Sequence, residues 1–365
     1  MRKGWEYKKL GEICSSDLGK TLNKSKDVGN MHPYLCAINI LWDSIDLTTL
    51  KEACFKDDEI DRYTVKYGDL LVCEGGDTGR AAIWDRKEPI LYQNALHRLR
   101  FKEDVDARFI MYNLWHKKQI GEIDHKYSKG VTILHLVKYA LLSIPILLPP
   151  LSTQLAIVSE LDKINELIRL KKEQLKDFDN LAQSLFYEMF GDPVENEMGW
   201  EVKKLGEVYK MKSGDSLSTK SFEEGDIPVY GGNGISGYHN QYNKDGSYII
   251  IGRVGVYCGN VRIVKGRFWL TDNAFELLYD NSSQNEVFVC SLLTHLNLRQ
   301  YANAAAQPVI SNNTLKHVSI PLPPLPLQHL FAHRIEQIEH QKSEVQKAIT
   351  DLETLLASRM QYWFE

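Results

Sequence analysis

Two long stretches of this chain place apolar residues three and four positions apart in alternation, the spacing of a helix that buries one narrow stripe against a partner. Between Ser152 and Phe190, where no glycine or proline occurs, the stripe runs through Leu161, Ile164, Ile168, Leu175, Phe178, Ala182, Leu185 and Met189. Between Leu327 and Glu365 it returns at Ile335, Ile338, Val345, Ile349, Leu352, Leu356 and Trp363. Lys171, Lys342 and Arg359 interrupt the stripes; such residues either set the register of a helix pair or lay their aliphatic stems along it. Gly191-Asp192-Pro193 ends the first helix, as glycine followed by proline does. The stretches ahead of the helices differ. They hold short β-rich runs, such as Asp69-Leu70-Leu71-Val72-Cys73 and Tyr248-Ile249-Ile250-Ile251, punctuated by Gly, Asn and Asp. The predicted order is a globule at 1–145, a helix at 146–190, a linker at 191–198, a globule at 199–320 and a helix at 321–365.

The letters repeat in the same order, and a repeat of this kind governs the architecture. Gly4-Trp5-Glu6-Tyr7-Lys8-Lys9-Leu10-Gly11-Glu12 recurs as Gly199-Trp200-Glu201-Val202-Lys203-Lys204-Leu205-Gly206-Glu207, eight identities in nine at an offset of 195. Ser143-Ile144-Pro145, Pro149-Pro150-Leu151 and Gln154 are echoed by Ser319-Ile320-Pro321, Pro323-Pro324-Leu325 and Gln328, the Pro-Pro-Leu-x-x-Gln part at an offset of 174. Between them, Gly75 and Gly79 match Gly255 and Gly259, and Asn94-Ala95 matches Asn273-Ala274. The second unit is shorter by the difference of the two offsets, 21 residues.

Connectivity then restricts geometry. The first helix spans roughly 58 Å at its usual rise, whereas the linker reaches at most about 28 Å. The second globule must begin near the far end of that helix, and the second helix must run back along it. The expected fold is α+β: two mixed α/β globules with β-rich cores, joined by two long helices in an antiparallel coiled coil with a pseudo-two-fold internal repeat.

Composition adds exclusions. With 365 residues, 43% of them apolar, and 44 basic against 48 acidic side chains, the chain is too long for one ordinary domain and unlike disordered or collagenous sequences. Its longest apolar run, Leu141 to Leu148, is broken by Ser143 and Pro145 and falls short of the roughly 20 residues that a bilayer span needs. The opening Met1-Arg2-Lys3-Gly4-Trp5-Glu6 lacks the apolar core of a secretory signal, and six cysteines without a C-x-x-C pair suggest reduced thiols. A cytoplasmic protein is expected. The net charge of −4 argues mildly against a polyanionic partner until it is divided. Residues 1–145 carry 23 basic and 21 acidic side chains, 146–198 carry 5 and 10, 199–320 carry 12 and 11, and 321–365 carry 4 and 6. The negative surplus lies on the helices and the linker that joins them.

Enzyme chemistry finds no footing. Gly232-Asn233-Gly234-Ile235-Ser236-Gly237 fits G-x-G-x-x-G, but Tyr238-His239-Asn240-Gln241 follows where a dinucleotide site needs an amphipathic helix. Gly19-Lys20-Thr21 resembles the end of a phosphate loop whose first glycine is replaced by Cys14. No H-E-x-x-H, paired Cys/His spacing or nucleophile-elbow signature occurs. No catalytic residue and no metal site is expected.

A binding module duplicated at a fixed separation suits a bipartite target such as DNA half-sites. Lysines, hydroxyls and amides in exposed loops can hold phosphates and read base edges. In the first globule the candidates are Lys20, Lys24, Lys26, Arg80 and Arg98. In the second they are Lys212, Ser213, Lys220, Tyr230, Asn233, His239, Gln241 and Arg253, with Arg253 and Arg262 flanking the Gly255/Gly259 element. A coiled-coil scaffold whose globules bind protein or other ligands is the competing class.

The duplicated Gly-Trp-Glu to Gly-Glu segments, the Pro-Pro-Leu-x-x-Gln helix entries, the two long helices and Pro228-Val229-Tyr230-Gly231-Gly232-Asn233-Gly234 followed by Ile251-Gly252-Arg253 together resemble the specificity subunit of type I restriction–modification systems. That resemblance implies a non-catalytic chain whose two target-recognition domains each read half of a split double-stranded DNA sequence, with the helices as spacers. It also implies docking of two methyltransferase subunits and of restriction/translocase subunits, with S-adenosylmethionine, ATP and Mg on those partners and none on this chain. One departure stands out: the Gly-Gly-Asn-Gly loop has no copy in the first globule, where Glu74-Gly75-Gly76-Asp77-Thr78-Gly79-Arg80 reads most simply as a turn.

Overall fold

The computed structural model describes residues 4–23, 27–130, 134–303 and 307–365. The chain divides into two compact units, Met1–Lys171 with Ala348–Glu365, and Lys172–Lys347. The segments that echo one another in sequence pair within each unit. Strand Glu6–Lys9 runs antiparallel to Pro145–Leu148, Glu6 opposite Leu148 and Lys9 opposite Pro145. Strand Glu201–Lys204 does the same with Ser319–Leu322, Glu201 opposite Leu322 and Lys204 opposite Ser319. The register thus equates Pro145 with Ser319, so the Ser-Ile-Pro echo lies two residues out of structural alignment while Pro-Pro-Leu-x-x-Gln lies in it. A single helical turn follows each first strand. Leu10 and Leu205 are fully buried there, and their N–H groups donate to the carbonyls of Ile144 and Val318 at 2.9 and 2.8 Å. Glu12 and Glu207 accept from the N–H groups of Lys9 and Lys204, satisfying donors that a helix start leaves free.

The glutamine of each Pro-Pro-Leu-x-x-Gln motif binds two segments together. Four helices matter for this: α1 (Ala107–Gln119), α2 (Leu151–Phe190), α3 (Glu286–His295) and α4 (Leu325–Phe364). Gln154, fully buried, donates to the carbonyls of Pro149 and Asp104 and accepts from the N–H of Asp106 at 2.8 Å. Asp106 in turn caps α1 by accepting from Phe109 N–H. In the second unit Gln328 donates to Pro323 and accepts from Asn285 N–H at 2.9 Å, and Asn285 caps α3. A primary amide gives and takes hydrogen bonds at once, which is why glutamine recurs where neither a carboxylate nor an amine would serve both neighbours.

Helices α2 and α4 each run unbroken from one unit into the other. Their pairing is antiparallel: Glu160 of α2 meets Arg359 and Trp363 of α4 in the first unit, and Asp179 meets Lys342 in the second. The interrupting cations Lys342 and Arg359 are therefore ion-paired across the seam. Along it, Leu161, Ile164, Ile168, Leu185, Ile338, Val345, Ile349 and Leu356 are buried, while Leu175, Phe178, Ile335 and Leu352 are partly so. The helix ends depart from the stripe read in the sequence. Phe186, Phe190, Met360 and Phe364 are buried because each last turn inserts into a globule. Phe190 meets Phe288 of α3 edge-on at 4.8 Å and Phe331 at 5.2 Å, and Phe186 stacks on His295 at 4.1 Å. Correspondingly, Phe364 meets Phe109 and His116 of α1 at 5.4 and 6.0 Å.

The globules share a strand plan. In the second, one six-stranded sheet runs Lys210–Ser213, Ala274–Leu278, Lys244–Gly252, Val261–Leu270, Ile227–Gly231, Gly234–His239. The first uses the same connections but splits them into two four-stranded sheets. One is ordered Cys14–Leu18, Leu96–Phe101, Leu70–Cys73, Ala81–Ile83; the other Lys51–Phe55, Asn30–Leu35, Ile90–Tyr92, Thr64–Val65. Where the second globule turns its hairpin through Gly232-Asn233, the first inserts residues 36–50, which supplies most of its extra length. All six cysteines are free, and among the described residues no helix is long and apolar enough to cross a membrane.

Two outcomes follow from these contacts. Replacing Gln154 by Ala leaves buried groups at Asp106 and Pro149 unpaired, so denaturant unfolding of the first unit should lose about 1–3 kcal/mol, and Gln328→Ala the same in the second; a loss confined to a few tenths of a kcal/mol would contradict the clamp. The Arg359 guanidinium, helped by the Trp363 indole N–H and opposed by burial, holds the Glu160 carboxyl below the usual carboxylate range. A depressed carboxylate stabilises above its ordinary pKa and loses that contribution as pH falls through the lowered one. Circular dichroism of acid unfolding should therefore show a shallower acid limb for Glu160→Gln, and an unchanged limb would exclude the pair as a contributor.

Candidate nucleic-acid interface

Side chains alternate across a sheet, so the second globule has two distinct faces. Ile249, Ile251, Phe275 and Leu277 join the core with Phe186, Phe190 and Phe288. Ile250, Val264, Phe268, Leu270 and Ala274, with Tyr230 and Tyr248, form a smaller cluster on the other side. A cross-strand row on this outer face runs Lys212, Glu276, Ile250, Arg262. Glu276 is buried and ion-paired with Lys244, while Lys212 is exposed.

The glycines of the hairpin bring the loops together. A Cβ on Gly232 would stand 2.5 Å from the Val254 carbonyl oxygen, and one on Gly252 would stand 2.2 Å from the Gly232 oxygen. Only glycines allow the two backbones this approach. Exposed Asn233 therefore sits beside Arg253, whose guanidinium donates to Ser213 Oγ at 3.3 Å and to the Asp272 carbonyl at 3.4 Å, and lies over the Phe275 ring. Ser213 and Arg253 are thus in contact, while Lys212, next to Ser213 in the strand, lies on the outer face. Tyr230 packs its ring on Phe268 at 5.5 Å. The remaining candidates lie elsewhere. His239 pairs with Ile227 at the opposite end of the hairpin, is buried, and accepts from Glu223 N–H through Nδ1. Gln241 and Lys220 are exposed beyond that end.

In the first globule the candidate cations are committed internally. Lys20 is buried, with its ammonium 2.7 Å from Glu59 and 3.0 Å from the Cys54 carbonyl. Burial works against that charge, yet Glu59 and Asp27 outweigh it and raise the lysine pKa above its ordinary value. Arg98, also buried, donates to Asp17 at 2.7 Å and to the carbonyls of Thr64 and Arg62. Arg80 donates to the Ala37 carbonyl at 2.9 Å. A buried cation must be paired to be tolerated, and these three hold strands and loops to one another. Lys24 and Lys26 lie outside the described residues. Asp77 pairs with Lys118 at 2.9 Å, and Thr78 donates to Asp124 at 2.7 Å, so the glycine turn is tied to α1 and the segment after it.

The two globules differ at one equivalent backbone position. Glu74 donates its N–H to Ala95 and accepts from Leu136; Arg253 donates to Asn273 and accepts from Ile310. A glutamate stands in the first globule where an arginine stands in the second. Arg262, which the sequence marks only as a neighbour of the glycine element, is placed by strand pairing on the outer face with Lys212; nothing short of the register would have grouped them. Among the described residues no group of three or more His, Cys, Asp or Glu is arranged to hold a metal ion.

Comparison with known proteins gives the same duplication. The family model described as the type I restriction modification DNA specificity domain matches twice, at residues 2–177 and 197–354. Over 150 residues the chain is 34% identical to the type I restriction enzyme EcoprrI specificity subunit of Escherichia coli, covering 40% of this chain and 37% of that protein. Over 404 residues it is 22% identical to the type I restriction enzyme MjaVIII specificity subunit of Methanocaldococcus jannaschii, covering 96% of this chain and 92% of that one. Two solved structures share the fold. The S subunit of the type I system from M. genitalium aligns with a TM-score of 0.59 at 17% identity, covering 99% of this chain and 96% of that one. A chain from a study of complex assembly and conformational transition in the type I R-M system aligns with a TM-score of 0.62 at 19% identity, covering 99% and 97%. With both globules and most of both helices inside the two matches, the chain belongs to the type I restriction–modification DNA specificity family.

Proposed function

We propose that this chain is the non-catalytic DNA-recognition subunit of a cytoplasmic type I restriction–modification complex. Residues 1–145 and 199–320 are the two target-recognition domains, each reading one half of a bipartite double-stranded sequence, and 146–190 and 321–365 are spacer helices joined through 191–198. The observation that carries this reading is the duplicated match, supported by two globules that share a strand plan and a glutamine clamp yet differ in the loops that face outward. In the second domain the phosphate- and base-contacting set is Lys212, Ser213, Asn233 and Arg253, with Lys220 and Gln241 reaching the target from the other end of the hairpin. His239, Tyr230, Lys20, Arg80 and Arg98 position these surfaces from within. Two methyltransferase subunits and restriction/translocase subunits assemble on this scaffold, and S-adenosylmethionine, ATP and Mg belong to those partners.

Replacing residues 199–320 with the second domain of another family member tests this reading. Mapping of methyladenine should then show one half-site changed and the other half-site retained. A change in both halves would contradict a modular division of the target.

A further inference from the structure

One arginine of the second globule is left unspent. Arg262 is half-buried, yet it makes no hydrogen bond or ion pair among the described residues. Every other partly or fully buried arginine that is described has a partner: Arg80, Arg98, Arg100, Arg108 and Arg253 donate to carbonyls, hydroxyls or carboxylates, and Arg359 to Glu160. None of its nitrogens is among the buried unpartnered side-chain atoms, so the guanidinium is reachable from outside and its donors are open to a partner from outside the chain.

Its surroundings restrict that partner. Arg262 stands opposite Ile250 on the outer face of the sheet, in the row that includes exposed Lys212. Its Nη1 lies 2.6 Å from where a Cβ on Gly234 would be. Gly234 has a φ of +106°, so its backbone favours glycine, which leaves the guanidinium room against the turn. The guanidinium therefore lies along the hairpin tip beside exposed Asn233, with no acid paired to it among the described residues. Among the described residues the first globule offers nothing similar, because its partly buried arginines are all paired.

We propose that Arg262 is a specificity-determining residue that reads a guanine in the major groove of the second half-site. Guanine presents O6 and N7 side by side, and the arginine fork donates to both at once. A phosphate, by contrast, is served as well by a mobile lysine, and Lys212 already lies in the same row. This inference rests on the reading of residues 199–320 as a recognition domain.

The test is methyladenine mapping with the full chain co-expressed with its methyltransferase subunit. Arg262→Ala should relax one G·C position in a single half-site, lowering discrimination there about 5- to 150-fold, with the other half-site unchanged. Arg262→Lys, which keeps the charge and loses the fork, should leave the same position relaxed, and it carries the test alone if the alanine variant does not assemble. A uniform fall in methylation with an unaltered motif, restored by lysine, would identify a phosphate contact and overturn the proposal. So would relaxation at an A·T position, in both half-sites, or not at all. A native complex that methylates without a bipartite motif would instead overturn the proposed function itself, so the two failures are distinguishable.

Discussion

The last turn of each long helix closes the core of a globule, and the rest of the structure depends on that insertion. Phe186 and Phe190 of α2 pack among Phe288, Phe331 and His295 in the second unit; Met360 and Phe364 of α4 pack beside Phe109 and His116 in the first. Aromatic side chains bury large areas and favour edge-on contacts such as these. The contact residues recur in register: Phe109 and Phe288 both stand three residues beyond a helix cap, and His116 and His295 both ten beyond it. Each globule is thus fixed to the start of one long helix by its glutamine and to the end of the other by its aromatic residues. Neither repeat completes a core alone.

That arrangement separates what must stay the same from what is free to differ. The ribbon strands, the buried Leu10 and Leu205, the glutamine clamps and the helix ends obey one geometry in both units. The outward sheets do not. A two-residue turn in one globule is a fifteen-residue insertion, 36–50, in the other, and Glu74 replaces Arg253 at an equivalent backbone position. A scaffold of this kind lets loops diverge without disturbing the helices, which suits the proposed reading of one half-sequence by each globule. The charge follows the same division: the acidic surplus lies on the helices and the linker between them and leaves the globules near neutral. Near-neutral globules neutralise few phosphates, so base contacts rather than bulk attraction must supply much of the affinity.

Much of the fold was legible in the sequence because helix spacing and internal repetition are strong signals. The stripe from Leu161 to Leu185 and its counterpart from Ile335 to Leu356 lie along the seam, and an antiparallel pair followed from linker length. At the helix ends Met189 and Trp363 are only partly buried, and the buried side chains are their neighbours Phe190 and Phe364, because there the helix begins facing a globule. Individual contacts were far less legible. Lys20 and Arg98 look like loop and strand cations in one dimension, and only the placement of Glu59 and Asp17 against them, 39 and 81 residues away, shows their charge to be committed. Arg262 reverses that case, since its meaning lies in the absence of a partner and in a cross-strand row that no local pattern encodes. Residue chemistry names kinds of side chain, and tertiary register decides which of them are available.

The most direct measurement is the genome-wide methyladenine pattern produced by the native chain with its methyltransferase subunit. Two globules on one scaffold predict a single asymmetric sequence, made of two specific halves separated by a gap of fixed length, with one methyladenine in each half. A continuous motif without a gap, or methylation indifferent to sequence from an intact complex, would contradict the account.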